Sequence, residues 1–135
     1  MLSLRKLFIA VIGLNTSSAV LASTTVEQLL QEYQAQGASQ FSTESGKIFW
    51  NQKFYSSGTH QQRSCSSCHT ANLRQYGKHA TTGKEIKPLA PSVMSKRLTN
   101  PKKIRKWFRR NCIWTLGREC TNQEKGNVLM YLKGL

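Results

Sequence analysis

Aspartate does not occur in this chain, and its 6 acidic residues, all glutamate, stand against 20 lysines and arginines for a formal charge of +14. A balance so one-sided calls for an acidic partner surface, an anionic membrane face or nucleic acid. Long apolar runs are scarce as well. The N-terminal run Leu7–Leu14 is broken by Asn15, Thr16, Ser17 and Ser18, whereas a membrane span needs about 20 apolar residues. That excludes an anchor there and leaves Arg5 and Lys6, an apolar stretch and the small-residue sequence ending Val20-Leu21-Ala22. This is the pattern of a secretory signal peptide cleaved after Ala22. We therefore expect residues 1–22 to be a leader and residues 23–135 to be a soluble protein exported to the periplasm. Export makes nucleic acid the weakest of the three partner classes. Internal repeats and strand patterns are also missing, and the 113 residues that remain leave no room for a second domain. Loss of Arg5 and Lys6 leaves 18 basic residues against 6 acids, a formal +12.

Four cysteines remain after the leader. Cys65-Ser66-Ser67-Cys68-His69 is a C-x-x-C-H sequence, the attachment signature of a c-type haem. The spacing suits the chemistry: two thiols add to the two vinyl groups along one edge of the macrocycle, and the next residue brings an imidazole under the iron. His69 would be the proximal ligand, with Nε2 on the iron and Nδ1 held by an acceptor. A zinc site would have to recruit Cys112 and Cys120, but these are separated by seven residues, and a knuckle wants two to four. A thioredoxin-like dithiol needs a strand-helix-strand setting that this chain lacks. Cys112 and Cys120 are then an even pair in an oxidising compartment, for which the default is a disulfide closing a short loop, worth about 2–3 kcal/mol.

The rest of the chain reads as four or five short helices, an all-α fold completed by one covalently attached haem. Thr24 and Glu27 have capping-box spacing ahead of Val26, Leu29, Leu30 and Tyr33, and Gly37 stops that helix. Ser42 or Thr43 caps a second helix, in which Gly46 permits close approach and Ile48, Phe49 and Phe54 are apolar. Residues 75–92, rich in Gly, Thr, Pro and Lys, read as an irregular segment around the cofactor. Asn100 and Pro101 open a further helix. In it Ile104, Trp107, Phe108 and Asn111 fall at i, i+3, i+4 and i+7, an apolar face that ends in an amide. Thr121 and Glu124 cap the last helix, packed through Val128, Leu129, Tyr131 and Leu132.

Function in such a protein turns on the sixth iron position: a strong ligand makes an electron carrier, a weak one a site for small molecules. His60 is too close in sequence to Cys65 to reach the far face, His79 lies in a polar loop, and Met130 reads as core filler. Met94 is the conventional choice, and pattern alone favours it over Asn111, whose ordinary role would be a helix C-cap.

Residues 46–135 nevertheless resemble the sphaeroides haem protein family of high-spin class I cytochromes c, through "SCSSCHTANL", "GKHATTGKEIKPLAPS", "KWFRRNC" and "GREC" followed by "T" and "EKG". The resemblance reverses the preference. It implies Asn111 as the sixth ligand to ferric iron, released on reduction, and a Cys112–Cys120 disulfide. It further implies a dihaem cytochrome c as electron donor with a membrane cytochrome b upstream, and binding of dioxygen, nitric oxide or carbon monoxide. Turnover of nitric oxide with oxygen to nitrate, or slow oxygen reduction, is consistent with it. The contrasting expectation is a plain His69/Met94 electron carrier indifferent to gases.

Overall fold

The computed structural model describes residues 24–55 and 61–135. The expected signal peptide and His60 lie outside them. α1 (Thr25–Ala35) starts where the Thr24 hydroxyl accepts from Glu27 N–H, and Gly37 follows it at φ 95°. The Glu27 carboxylate is drawn to Lys133. α2 (Thr43–Asn51) is capped by Ser42 and is shorter than the sequence implies, because Phe54–Tyr55 leave the helix as strand β1 and pair antiparallel with β2 (Gln62–Arg63). A single 3-10 turn covers Cys65–Ser67. The segment expected to be irregular contains a second antiparallel hairpin, β3 (Gly77–Lys78) with β4 (Glu85–Ile86). Two-residue strands have no room for an alternating pattern, which is why the sequence carried no strand signal.

α3 (Pro101–Leu116) begins at Asn100, whose side chain accepts from Lys103 N–H, and ends at Gly117 in the left-handed region. α4 (Asn122–Lys133) carries the full Thr121/Glu124 capping box. The Cys112–Cys120 disulfide forms, joining the last turns of α3 to the start of α4 across 5.6 Å between Cα atoms.

α4 is the hub. Leu129 packs with Val26, Leu29 and Tyr33 of α1 and Ile104 of α3, while Val128 and Leu132 pack with Trp50 of α2 and Leu73. Leu98 and Phe108 touch both clusters. Burial of a leucine such as Leu29 or Leu129 stabilises the fold by about 2 kcal/mol. The α2/α4 crossing is close: a Cβ on Gly46 would lie 2.0 Å from Asn127 O. In α2 the core residue is Trp50, and Ile48, expected to pack, is 60% exposed. No helix among the described residues is long and apolar enough to cross a membrane.

Candidate haem-binding site

Serines build the turn that carries the two thiols. Ser64 N–H donates to Ser67 Oγ, Ser67 N–H returns to Ser64 O, and the Ser64 hydroxyl lies 2.9 Å from that of Ser66. Cys65 and Cys68 are thus held one 3-10 turn apart on a short, internally bonded segment. The following chain folds back on it: Lys78 N–H donates to Cys68 O at 2.8 Å and Ala80 N–H to Cys68 Sγ at 3.4 Å. Gly77 makes that return possible, since a Cβ there would lie 2.4 Å from Cys68 O and 3.0 Å from His69 Cα.

His69 packs against the buried Trp50 ring, centroids 5.4 Å apart. Burial, then the nearby Arg97 guanidinium, lowers its pKa to about 4, so the imidazole is neutral at physiological pH. Arg97 is itself fixed by donating to Pro88 O and Lys87 O. Burial pushes the Cys65 thiol up to about 12. A pair of thiols one turn apart with a histidine directly after them fits haem c, which takes a histidine nitrogen on iron and cysteines as thioethers. Cys112 and Cys120, the other thiols that a zinc site would require, are committed to the disulfide.

On α3 the structure divides residues that the sequence grouped on one face. Ile104 and Phe108 turn into the core and Cys112 and Thr115 are buried behind them, whereas Trp107 is 50% exposed and Asn111 is also exposed. Trp107, Asn111 and Trp114, at i, i+4 and i+7, form a separate stripe. Asn111 is not a C-cap, because the helix continues to Leu116. The stripe is tied to the attachment turn: the Arg63 guanidinium sits 4.3 Å over the Trp114 ring and donates to Trp114 O, and His79, next to Ala80, lies 6.1 Å from that ring.

The structure joins Cys65, Cys68 and His69 in one turn and sets Asn111 on the helix that this turn's hairpin packs against. Met94 is half-buried in a turn, its N–H on Ala90 O. Met130 is half-buried on α4. His79 accepts Thr81 and Thr82 N–H groups on Nδ1 at 3.3 and 3.2 Å, which puts its proton on Nε2 and removes the lone pair an Nε2 ligand would need. Sequence reasoning missed Trp50 as the partner of His69; its spacing of four from Gly46, the close-approach glycine, was the available signal.

Four helices closing on a C-x-x-C-H turn define a small all-α cytochrome c with haem c as its cofactor. The comparisons narrow this. Residues 36–132 match the family described as Domain of unknown function (DUF1924). The chain is 40% identical over 134 residues to cytochrome c'' of Methylophilus methylotrophus, covering 94% of this chain and 92% of that one. It is 35% identical over 114 residues to the cytochrome c-type protein SHP of Cereibacter sphaeroides, covering 84% and 87%. The structure of oxidised SHP, described as an oxygen-binding cytochrome c, superposes with a TM-score of 0.75 at 34% identity over 84% of this chain and all of that one. The solution structure of cytochrome c'', described as giving insights into the structural basis of haem-ligand detachment, has a TM-score of 0.69 at 39% identity over 79% of this chain and 90% of its own. The chain belongs to the SHP-like family of class I cytochromes c.

Proposed function

We propose that residues 23–135 form an exported, periplasmic monohaem cytochrome c, released from a signal peptide at 1–22, in which Cys65 and Cys68 carry the haem, His69 is the proximal ligand and Asn111 is a redox-gated sixth ligand. The observation that carries this reading is Asn111 itself. It stands in mid-helix, outside the core and between two tryptophans, with no capping role to explain it. An amide oxygen is a hard, weak donor that suits ferric iron and holds ferrous iron poorly. Reduction therefore releases Asn111 and frees the position for dioxygen, nitric oxide or carbon monoxide. The disulfide at the next residue, Cys112, limits how far the released side chain travels with its helix. Support comes from the relatives, one described as oxygen-binding and the other in terms of ligand detachment.

Electrons come from an acidic dihaem cytochrome c, itself fed by a membrane cytochrome b. The glutamates Glu27, Glu32, Glu119 and Glu124 are engaged in ion pairs with Lys133, Arg105, Arg109 and Arg118. Lys102, Lys103, Lys106 and Arg110 of α3 are exposed beside the Asn111 stripe, a docking face for such a donor. Oxidation of nitric oxide to nitrate, or slow oxygen reduction, is the turnover this arrangement would support.

The test is the absorption spectrum of holoprotein, oxidised and reduced, with and without carbon monoxide, for wild type and Asn111→Ala. We expect a high-spin, gas-binding ferrous form and a ferric form altered by the substitution. A low-spin ferrous wild type that ignores the gas would transfer the sixth position to Met94 and make the protein a plain electron carrier.

A further inference from the structure

Arg63 stands two residues before Cys65 and reaches across to α3. Its Nη1 donates to Trp114 O at 3.0 Å, and its guanidinium lies 4.3 Å over the Trp114 ring. No carboxylate among the described residues pairs with it. One side chain thus grips both the backbone and the ring of a single α3 residue. The planar guanidinium suits this double contact, because it stacks on an aromatic face while its edge donates.

Both ends of the contact are fixed. Arg63 pairs with Phe54 in the β1/β2 ladder, and the Phe54 ring packs 5.4 Å from that of Phe49 in α2. In the other direction Arg63 runs directly into Ser64, the N-cap of the 3-10 turn Cys65–Ser67. Trp114 lies three residues beyond Asn111 on the same stripe of α3, a rise of about 4.5 Å along the axis. The last turns of α3 are therefore held at two places. Cys112 ties them to the start of α4 through the disulfide, and Trp114 ties them to the segment that carries Cys65 and Cys68.

We propose that Arg63 is a positioning residue for the sixth ligand, clamping the α3 turn beyond Asn111 to the attachment turn so that the Asn111 amide keeps one setting relative to Cys65 and Cys68. The proposal rests on the reading of Asn111 as that ligand. Arg63 acts through Trp114 and is not itself a ligand. Preorganisation of this kind matters most for a weak donor such as an amide, which binds only when little motion has to be frozen out.

The sign of a change in reduction potential separates this role from two others. Loosening α3 weakens Asn111 on the ferric state alone, which raises the potential. Removal of a positive charge, with no positioning involved, favours the ferric state and lowers it. A purely structural contact changes the melting temperature and leaves the potential where it was. The experiment measures the midpoint potential and the ferric absorption spectrum of holoprotein for wild type, Arg63→Gln, Asn111→Ala and the double variant. The cation–π contact and the hydrogen bond together correspond to about tenfold in an equilibrium constant. We expect Arg63→Gln to weaken Asn111 ligation by about tenfold, to raise the potential by about 59 mV for one electron, and to increase the five-coordinate share of the ferric spectrum. Asn111→Ala leaves no ligand to position, so adding Arg63→Gln to it should give no further rise. An unchanged or lowered potential in Arg63→Gln would overturn the proposal, as would an equal rise in both backgrounds. An Asn111→Ala ferric spectrum equal to wild type would instead refute the reading of Asn111, and this proposal with it. Should Arg63→Gln fail to take up haem, Arg63→Lys decides, since it keeps the charge and loses the stacked fork: a raised potential supports the clamp and an unchanged one overturns it.

Discussion

Adding one methyl group at Gly46 should separate the helix pair on which the site rests. A Cβ there would meet Asn127 O at 2.0 Å, Asn127 C at 2.5 Å and Tyr131 Cβ at 3.0 Å. A carbon facing a carbonyl oxygen needs about 3.3 Å, so α2 and α4 must part by roughly 1.3 Å at the crossing. The obstruction is backbone and cannot rotate away, which places the cost at the upper end of overpacking, about 3 kcal/mol. Alanine returns about 1 kcal/mol through helix propensity. We expect Gly46→Ala to lose about 2 kcal/mol, a fall of roughly 10 °C in Tm, measured on oxidised holoprotein by thermal unfolding. Gly134→Ala is the control: its Cβ meets nothing nearer than 3.7 Å at φ −78°, and it should stay within about 0.5 kcal/mol of wild type. Equal Tm for the two variants would refute the close crossing and the framework that presents Trp50 to His69.

Replacing Cys112 and Cys120 by serine opens a loop of sequence separation 8 and should cost about 2.5 kcal/mol on loop entropy; guanidinium unfolding under oxidising conditions checks it, and a loss below 1 kcal/mol would show that α3 alone restrains the segment. The Arg118 guanidinium beside Glu124 holds that carboxyl below its usual range. A depressed folded pKa gives stability that is present above the unfolded value, about 4.3, and is lost as pH falls through the folded one. The Tm gap between wild type and Arg118→Ala should therefore be seen at pH 7 and shrink as pH falls below the unfolded value, and a gap independent of pH would remove the charge as its source. Changing Lys102 and Lys103 to glutamine should slow electron transfer from an acidic dihaem donor at low salt, with the difference disappearing as salt screens it; stopped-flow rates equal to wild type would dismiss the α3 docking face.

Local chemistry was legible in the sequence because it is written in neighbouring residues. Asn100 with Pro101, the Thr121/Glu124 box, the Gly37 stop and the Gly46 approach each depend on a few positions, and the structure contains each of them. The Cys112–Cys120 pair followed from compartment and count, and it too is present. What was hidden depends on distant partners. A C-cap at Asn111 would end α3 there, but residues 113–116 bring no breaker and the helix runs on to Gly117. Trp107 and Phe108 differ by 100° around the helix axis, so a reading that joined them merged the core face with the Asn111 stripe. Ile48 was as apolar as Trp50, and only the direction of α4 decides which is covered. The hairpin that fixes His79 comes from the fit of Gly77 against Cys68, a contact no periodicity announces.

The placement of α4 also sets an order of events. Both core clusters contain residues of this last helix, Leu129 in one and Val128 with Leu132 in the other. A chain synthesised from its N-terminus presents Cys65 and Cys68 some fifty residues before that helix follows. Neither cluster can close in the interval, so the two thiols pass through a period without a packed scaffold behind them. If haem is joined to Cys65 and Cys68 as proposed, the late arrival of α4 would keep the attachment turn open for that reaction and then close the core behind it.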